Sequence, residues 1–152
     1  MPEPLITTAR TPRHALPYLF PGQTQKEAFV NEALARLDAL VQPSVLGEAA
    51  SPPTAPAPGD SYIVAEEANG PWAGHAGAIA TWAESQWLFA SPNPGMRVFD
   101  VAHGALASFD GGNGWQRAQP PALPAGGAVQ DAEARAVLSA IIVALRSHGF
   151  FP

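Results

Sequence analysis

The chain has 152 residues and 15.8 kDa, enough for one domain or for a small domain with arms. Charged residues make up only 14% against 47% hydrophobic, a thinly charged surface that suits a protein hidden against partners. Eight basic and thirteen acidic residues give −5 with no basic run, which excludes a nucleic-acid surface, and the absence of cysteine excludes disulfides, thiolate zinc sites and cysteine nucleophiles. Gly (14) and Pro (17) together form about a fifth of the chain, well above average usage, so short elements joined by stiff linkers are expected rather than a continuous bundle or doubly wound sheet. The longest strongly apolar stretch, Ala136 to Leu145, is too short for membrane insertion. The N-terminus lacks the charged start and apolar core of a signal peptide, which predicts synthesis in the cytoplasm and release only by a route such as lysis.

In chain order, residues 1–22 read as an extended arm, because prolines 2, 4, 12, 17 and 21 exclude a helix or a central strand. Leu16, Tyr18, Leu19 and Phe20 are too apolar for a free tail, so the arm is expected to dock on its own domain or on a neighbour, with a neighbouring chain preferred. A helix is predicted over 23–42. Thr24 and Glu27 have capping-box spacing, Val30, Ala33, Leu34, Leu37, Leu40 and Val41 form one apolar stripe, and Pro43 stops it. Residues 43–59 read as a Pro-rich linker of extended geometry.

Residues 60–117 change to short aromatic and β-branched runs punctuated by glycine. Strands are predicted near 61–65, 78–83, 86–90, 96–102 and 105–110, with turns at 83–86, 103–104 and 110–114, forming a small antiparallel β-meander. A second linker, 118–130, leads to a C-terminal helix over 131–149. Asp131 is its N-cap, Ala134, Val137, Leu138, Ile141, Ile142 and Leu145 form its stripe, and Gly149 ends it. The expected class is α+β: an N-terminal helix, the meander and a C-terminal helix joined by Pro-rich linkers. Helices that cannot bury their stripes on so small a partner should bury them between subunits, which makes Val30, Leu34, Leu37, Val41, Leu138, Ile141 and Leu145 the expected oligomer interface.

Chemistry-bearing residues are sparse. The four histidines (14, 75, 103 and 148) have no metal-ligand spacing, and His75 and His103 sit beside glycines as turn residues, so no metal and no cofactor is expected. Asp60, Glu84, Asp100 and Asp110 lie at strand ends and turns, where a carboxylate ordinarily bonds its own backbone; paired carboxylates for glycoside hydrolysis rank behind that reading. The Gly-rich segments NGPWAGHAG and DGGNG lack the strand-to-helix context of a phosphate loop. Tryptophans on a β-domain either fill its core or stack on sugar rings. The expected exception to core packing is Trp72, in a loop and flanked by the polar groups of Asn69, His75 and Glu84, as a glycan-binding platform.

One resemblance is specific in the order of its motifs. The segments LPYLFPGQTQKEAFVNEALARLDALVQ, GDSYIV, WAGHAGAIATW and FDGGNGW, over roughly residues 16–117, resemble an uncharacterised alphaproteobacterial family of prophage and gene-transfer-agent proteins, catalogued as a domain of unknown function. Gln25, Lys26, Asn31, Glu32, Ala33 and Leu34 match its first helix, whereas Ala28, Phe29 and Val30 depart toward a more apolar face. Its Trp-x-x-Gly-x-Trp turn becomes Trp82-Ala-Glu-Ser-Gln-Trp87 here, without the glycine. The resemblance implies a head-spike or tail-fibre-associated virion component that brings particles to a host envelope, with no established catalytic residue. The expected partners are copies of itself in a cyclic homo-oligomer (trimer or pentamer), other virion proteins and host surface polysaccharide. The expectation is therefore a non-enzymatic structural or adsorption protein, with a glycan-binding module as the alternative and a hydrolase behind both.

Overall fold

The elements of the α+β chain, in order, are α1 (Lys26–Leu40), β1 (Ser44–Val45), β2 (Glu48–Ala49), β3 (Ser61–Val64), a single 3₁₀ turn (Gly70–Trp72), β4 (Ile79–Ala83), β5 (Gln86–Ala90), β6 (Arg97–Asp100), β7 (Ala105–Phe109), β8 (Trp115–Arg117) and α2 (Ala132–Ser147). They are taken from a computed structural model that describes residues 9–19, 26–127 and 131–152. The chain divides into two compact units, 1–92 and 93–152. Thr24 of the expected capping box, Phe20 of the arm and positions 128–130 of the second linker lie outside the described residues.

In the first unit the sheet order is β2-β3-β4-β5. β2 runs parallel to β3 (Glu48 opposite Ile63), and β3, β4 and β5 are antiparallel neighbours. Period-2 alternation sends Tyr62, Val64, Ala80, Trp82, Trp87 and Phe89 to one face and Ser61, Ile63, Ile79, Thr81 and Leu88 to the other. The first face forms a core around Val64, Trp72 and Ala80. On the second, the Ser61 and Thr81 hydroxyls bond each other at 2.9 Å, so neither buried oxygen lacks a partner.

The expected linker 43–59 is corrected here. It contains β1 and β2, and Val45 is wholly buried. The reason lies in where its prolines fall: 43, 52, 53, 56 and 58 leave 44–51 free to donate amides. Leu46 N–H accordingly bonds Ser61 O, Ile63 N–H bonds Gly47 O, and Ala65 N–H bonds Ala49 O.

The second unit corrects the single meander. β6, β7 and β8 pair antiparallel among themselves (Val98 opposite Ala107, Ala107 opposite Arg117), while β3 to β5 belong to the first unit's sheet. The break falls at Pro92-Asn93-Pro94, where two residues without amide donors stop β5 from running on. β6 and β7 join through a turn at 101–104 closed by Gly104 (φ +62°). Asp131 caps α2 by accepting from Ala134 N–H at 2.8 Å, and Gly149 (φ +72°) terminates it. There the Gly149 carbonyl accepts from Leu106 N–H, and a Cβ at Gly149 would stand 2.8 Å from the Phe99 ring. The C-terminal end of α2 is thus fastened to β7, while no residue along the helix is buried.

Candidate functional site

The arm and α1 form the most elaborated surface of the first unit. Residues 10–17 close a small antiparallel bridge between Arg10 and Pro17 around a turn at 12–14. That turn is seated on Asp38, a buried carboxylate that accepts from Thr11 Oγ1 (2.7 Å), Arg13 N–H (2.9 Å) and His14 N–H (2.6 Å). The last turn of α1 carries no basic residue of its own. Arg13 replaces one, its guanidinium donating to the carbonyls of Asp38, Ala39 and Gln42. Farther along, Asn31 meets the Leu19 backbone in a peptide-like pair, accepting from its N–H (2.8 Å) and donating to its carbonyl (3.2 Å).

These contacts are all made within one chain, so residues 10–19 dock on the helix of their own unit. Tyr18 is buried, Leu16 half-buried and Leu19 exposed. Burial first, and then the Glu84 carboxylate it faces, raise the Tyr18 phenol above its ordinary pKa. Charge spacing alone could not single out Asp38, which falls off the apolar stripe. Asn31, in contrast, stands among the motif positions of the first helix.

The consequence for α1 is an inverted helix. Its inward residues are Ala35, Asp38 and Ala39, small or polar and taken up by the arm and the domain. Several of its large apolar residues point out: Phe29 is 77% and Leu37 52% exposed, Val30 is also exposed, as is Val41 just past the helix, and Leu40 is half-buried. Leu34 is half-buried. Beside this face, Ala28, Asn31, Glu32 and Ala35 of α1 and Glu84, Gln86 and Leu88 wall a groove of about 250 Å³. On α2, Leu138 and Ile141 are exposed and Leu145 is half-buried.

The glycan platform at Trp72 is corrected. The indole is 0% exposed, packed edge-on against Trp87 at 5.0 Å and tilted against Tyr62 at 5.8 Å, so no face is open to a sugar ring. Pro71 and the 3₁₀ turn bend the loop back over the sheet, because the aromatic face formed by Tyr62, Trp87 and Phe89 needs a cover larger than the adjacent alanines. Its Nε1 is buried without a hydrogen-bond partner among the described residues. Asn69 and His75 are exposed beside it, but the His75 ring is stacked flat on Phe89 at 3.7 Å. Glu84 sits at the β4–β5 turn, turned toward Tyr18. The structure therefore does not gather Trp72, Asn69, His75 and Glu84 into one aromatic platform.

The other acids are engaged in local structure. Asp60 accepts from Ala57 N–H at 2.8 Å. Asp110 accepts from the backbone and side-chain nitrogens of Asn113, and those bonds hold its carboxyl below the usual range. Asp100, wholly buried, accepts from His103 Nδ1 (2.9 Å) and from Arg117 Nε (2.8 Å) and Nη2. Burial alone would raise the Asp100 carboxyl; the Arg117 guanidinium, aided by His103, outweighs it and lowers the pKa. No group of three or more His, Asp or Glu suited to a metal occurs among the described residues. Among them, too, no helix is long and apolar enough to cross a membrane.

Residues 30–116, more than half of the chain, match a family described as a protein of unknown function (DUF2793), and the chain belongs to that family. No curated protein matches it.

Proposed function

We propose that this protein is a non-enzymatic structural or adsorption component of a phage-like particle, a prophage or gene-transfer-agent virion, acting as a homo-oligomer near the base of a spike or fibre. The observation that carries the self-assembling role is the inverted α1: the chain spends its arm covering the small, polar side of the helix and leaves Phe29, Val30, Leu37 and Val41 to the outside. Contiguous exposed apolar faces of this kind mark contact surfaces rather than solvated ones. The virion setting is supported by the motif resemblance of residues 16–117, and the absence of a catalytic step by the turn-bound state of Asp60, Asp100 and Asp110.

The test has two readings. Light scattering of the purified chain should show an oligomer at micromolar concentration, and Leu37→Asp should dissociate it without unfolding it, because Leu37 is exposed within the single chain. Immunogold labelling of particles from a producing culture should mark a discrete site on head or tail. A monomer unaffected by Leu37→Asp overturns the assembly role, and unlabelled particles overturn the virion setting.

A further inference from the structure

Asparagine stands at positions 31, 69, 93 and 113, and only Asn69 and Asn113 precede a glycine. Both belong to the Gly-rich segments that the proposed assembly leaves without a role. An Asn-Gly step is the one most open to attack on the side-chain amide by the next backbone nitrogen, because glycine has no Cβ to obstruct the approach. The attack needs a side chain free to swing over the main chain and a glycine N–H that is not engaged.

The structure separates the two steps. At Asn113 both nitrogens are taken up by one carboxylate: the backbone N–H donates to Asp110 Oδ1 and the side-chain Nδ2 to Asp110 Oδ2, each at 2.7 Å. The Asn113 carbonyl accepts from Gln116 Nε2 at 2.6 Å, so the residue is held at three points. Its side chain would have to leave a charge-assisted bond before turning onto Gly114. Asn69 is also exposed, but its side chain makes no hydrogen bond to the turn it precedes, and Gly70 N–H has no partner among the described residues. Gly70 lies at φ +58°, with nothing within 4 Å of the place a Cβ would occupy. Only the main chain of Asn69 is held. Its N–H bonds Ala50 O at 2.9 Å, and its carbonyl accepts from Trp72 N–H at 3.2 Å.

We propose that Asn69-Gly70 is a self-modifying site, where Asn69 closes onto the Gly70 nitrogen and passes to aspartate and isoaspartate, loosening the loop that carries Trp72. Solvent base takes the Gly70 amide proton and the nitrogen bonds to Asn69 Cγ. The bond from Cγ to the side-chain nitrogen breaks, and ammonia leaves with a proton from solvent. Water then adds to either carbonyl of the five-membered imide and opens it. No electrons are exchanged, and no second copy is needed. In the isoaspartyl product the main chain runs through Cβ and Cγ, one carbon longer, and the former Asn69 carbonyl becomes a free carboxylate. The acceptor of Trp72 N–H is thereby displaced from the chain that Ala50 anchors, at the start of the turn that lays the indole over Tyr62 and Trp87.

Ageing of the full chain at mildly alkaline pH, followed by tryptic peptide mapping with mass spectrometry, tests the reaction. Trypsin separates the two sites, since no basic residue lies between Arg36 and Arg97 and Asn113 falls between Arg97 and Arg117. In the folded chain Asn69 should convert about tenfold faster than Asn113, and in urea the two should convert at similar rates, because the Asp110 bonds are then gone. Asn113 converting as fast as Asn69 in the folded chain, or Asn69 unchanged there while it converts in urea, would overturn the assignment. The converted parent should melt about 5 °C lower than the fresh chain, whereas an Asn69→Ser chain aged alongside should keep its Tm, because serine has no amide to lose and suits the extended position before the turn. A converted parent with an unchanged Tm, or an Asn69→Ser chain that loses as much on ageing, would overturn the loosening of the Trp72 loop.

Discussion

The β4–β5 hairpin offers a sharp quantitative test of the first unit. Trp82 and Trp87 are a directly opposed cross-strand pair with rings 5.1 Å apart, and Ala83 opposite Gln86 closes the ladder. Between them the two-residue loop places Glu84 at φ +49° and Ser85 at φ +62°. Positive φ at both central positions is the type I′ turn, whose twist matches that of the strands and which normally takes Asn-Gly or Asp-Gly. Here neither residue is glycine. The register holds because the Trp pair and the buried alternation of Ile79, Thr81 and Ala83 leave no better pairing, so the turn bears a conformational cost.

Holding a non-glycine residue in the left-handed region costs about 1–2 kcal/mol. Glycine removes that cost at Ser85 but adds about 0.5–1 kcal/mol of unfolded-chain entropy. Ser85→Gly should therefore stabilise the first unit by about 0.5–1 kcal/mol, or a few degrees in Tm for a unit of this size. The assay is thermal unfolding followed by tryptophan emission, since three of the four tryptophans (72, 82 and 87) lie in that unit. Ser85→Val should lower Tm, because a β-branched residue tolerates this region worst. Ser91→Gly, at an exposed position without positive φ, is the control. A Ser85→Gly variant no more stable than the parent, or one destabilised as much as Ser91→Gly, would refute the reasoning.

Two further outcomes follow from buried groups. Trp72→Ala should cost about 3–5 kcal/mol, a large share of a small unit's stability, whereas Trp72→Phe should cost much less because the indole N–H has no partner among the described residues; comparable urea midpoints for both variants would contradict the core role. For Asp100, the native carboxyl lies below its unfolded value, so its contribution to stability is fully present above about pH 4 and is lost as pH falls through the lower native pKa; amide cross-peaks of β6 to β8 followed in urea should show the midpoint dropping with acid, and an Asp100→Asn chain with the same acid slope would show that the Arg117 pairing is not its source.

The elements with a long period were legible in the sequence. Both helices, the Asp131 cap and the Gly149 stop are where spacing and capping chemistry put them, and Gln86–Ala90 coincides with its predicted strand. What escaped were elements too short to carry a period: β1 and β2 at two residues each and β8 at three. Their pairing is set by where prolines withhold amides and by tertiary partners, not by alternation. Trp72 escaped for a different reason. A loop tryptophan is read as a binding group when its neighbours are polar, yet the demand that buried it, an aromatic sheet face otherwise bordered by alanines, is visible only once Tyr62, Trp87 and Phe89 share that face.

α1 shows why periodicity locates a face without saying what covers it. Its stripe of Val30, Ala33, Leu34, Leu37, Leu40 and Val41 is the one read from spacing, and by the ordinary rule it should have been the buried side, yet only Leu34 and Leu40 are even half-buried. The deciding residue is Asp38. A carboxylate with three donors from the arm fixes the helix rotation as firmly as an apolar contact, since turning it outward would leave three donors of the arm without their acceptor. Once Asp38 and the small residues Ala35 and Ala39 are committed inward, Phe29, Val30 and Leu37 are left outside and Leu34 and Leu40 are only half-buried. The interior of this unit is therefore held by a polar clamp and an aromatic sheet face, and the exposed aliphatic residues of its helix are the surface on which the proposed assembly rests.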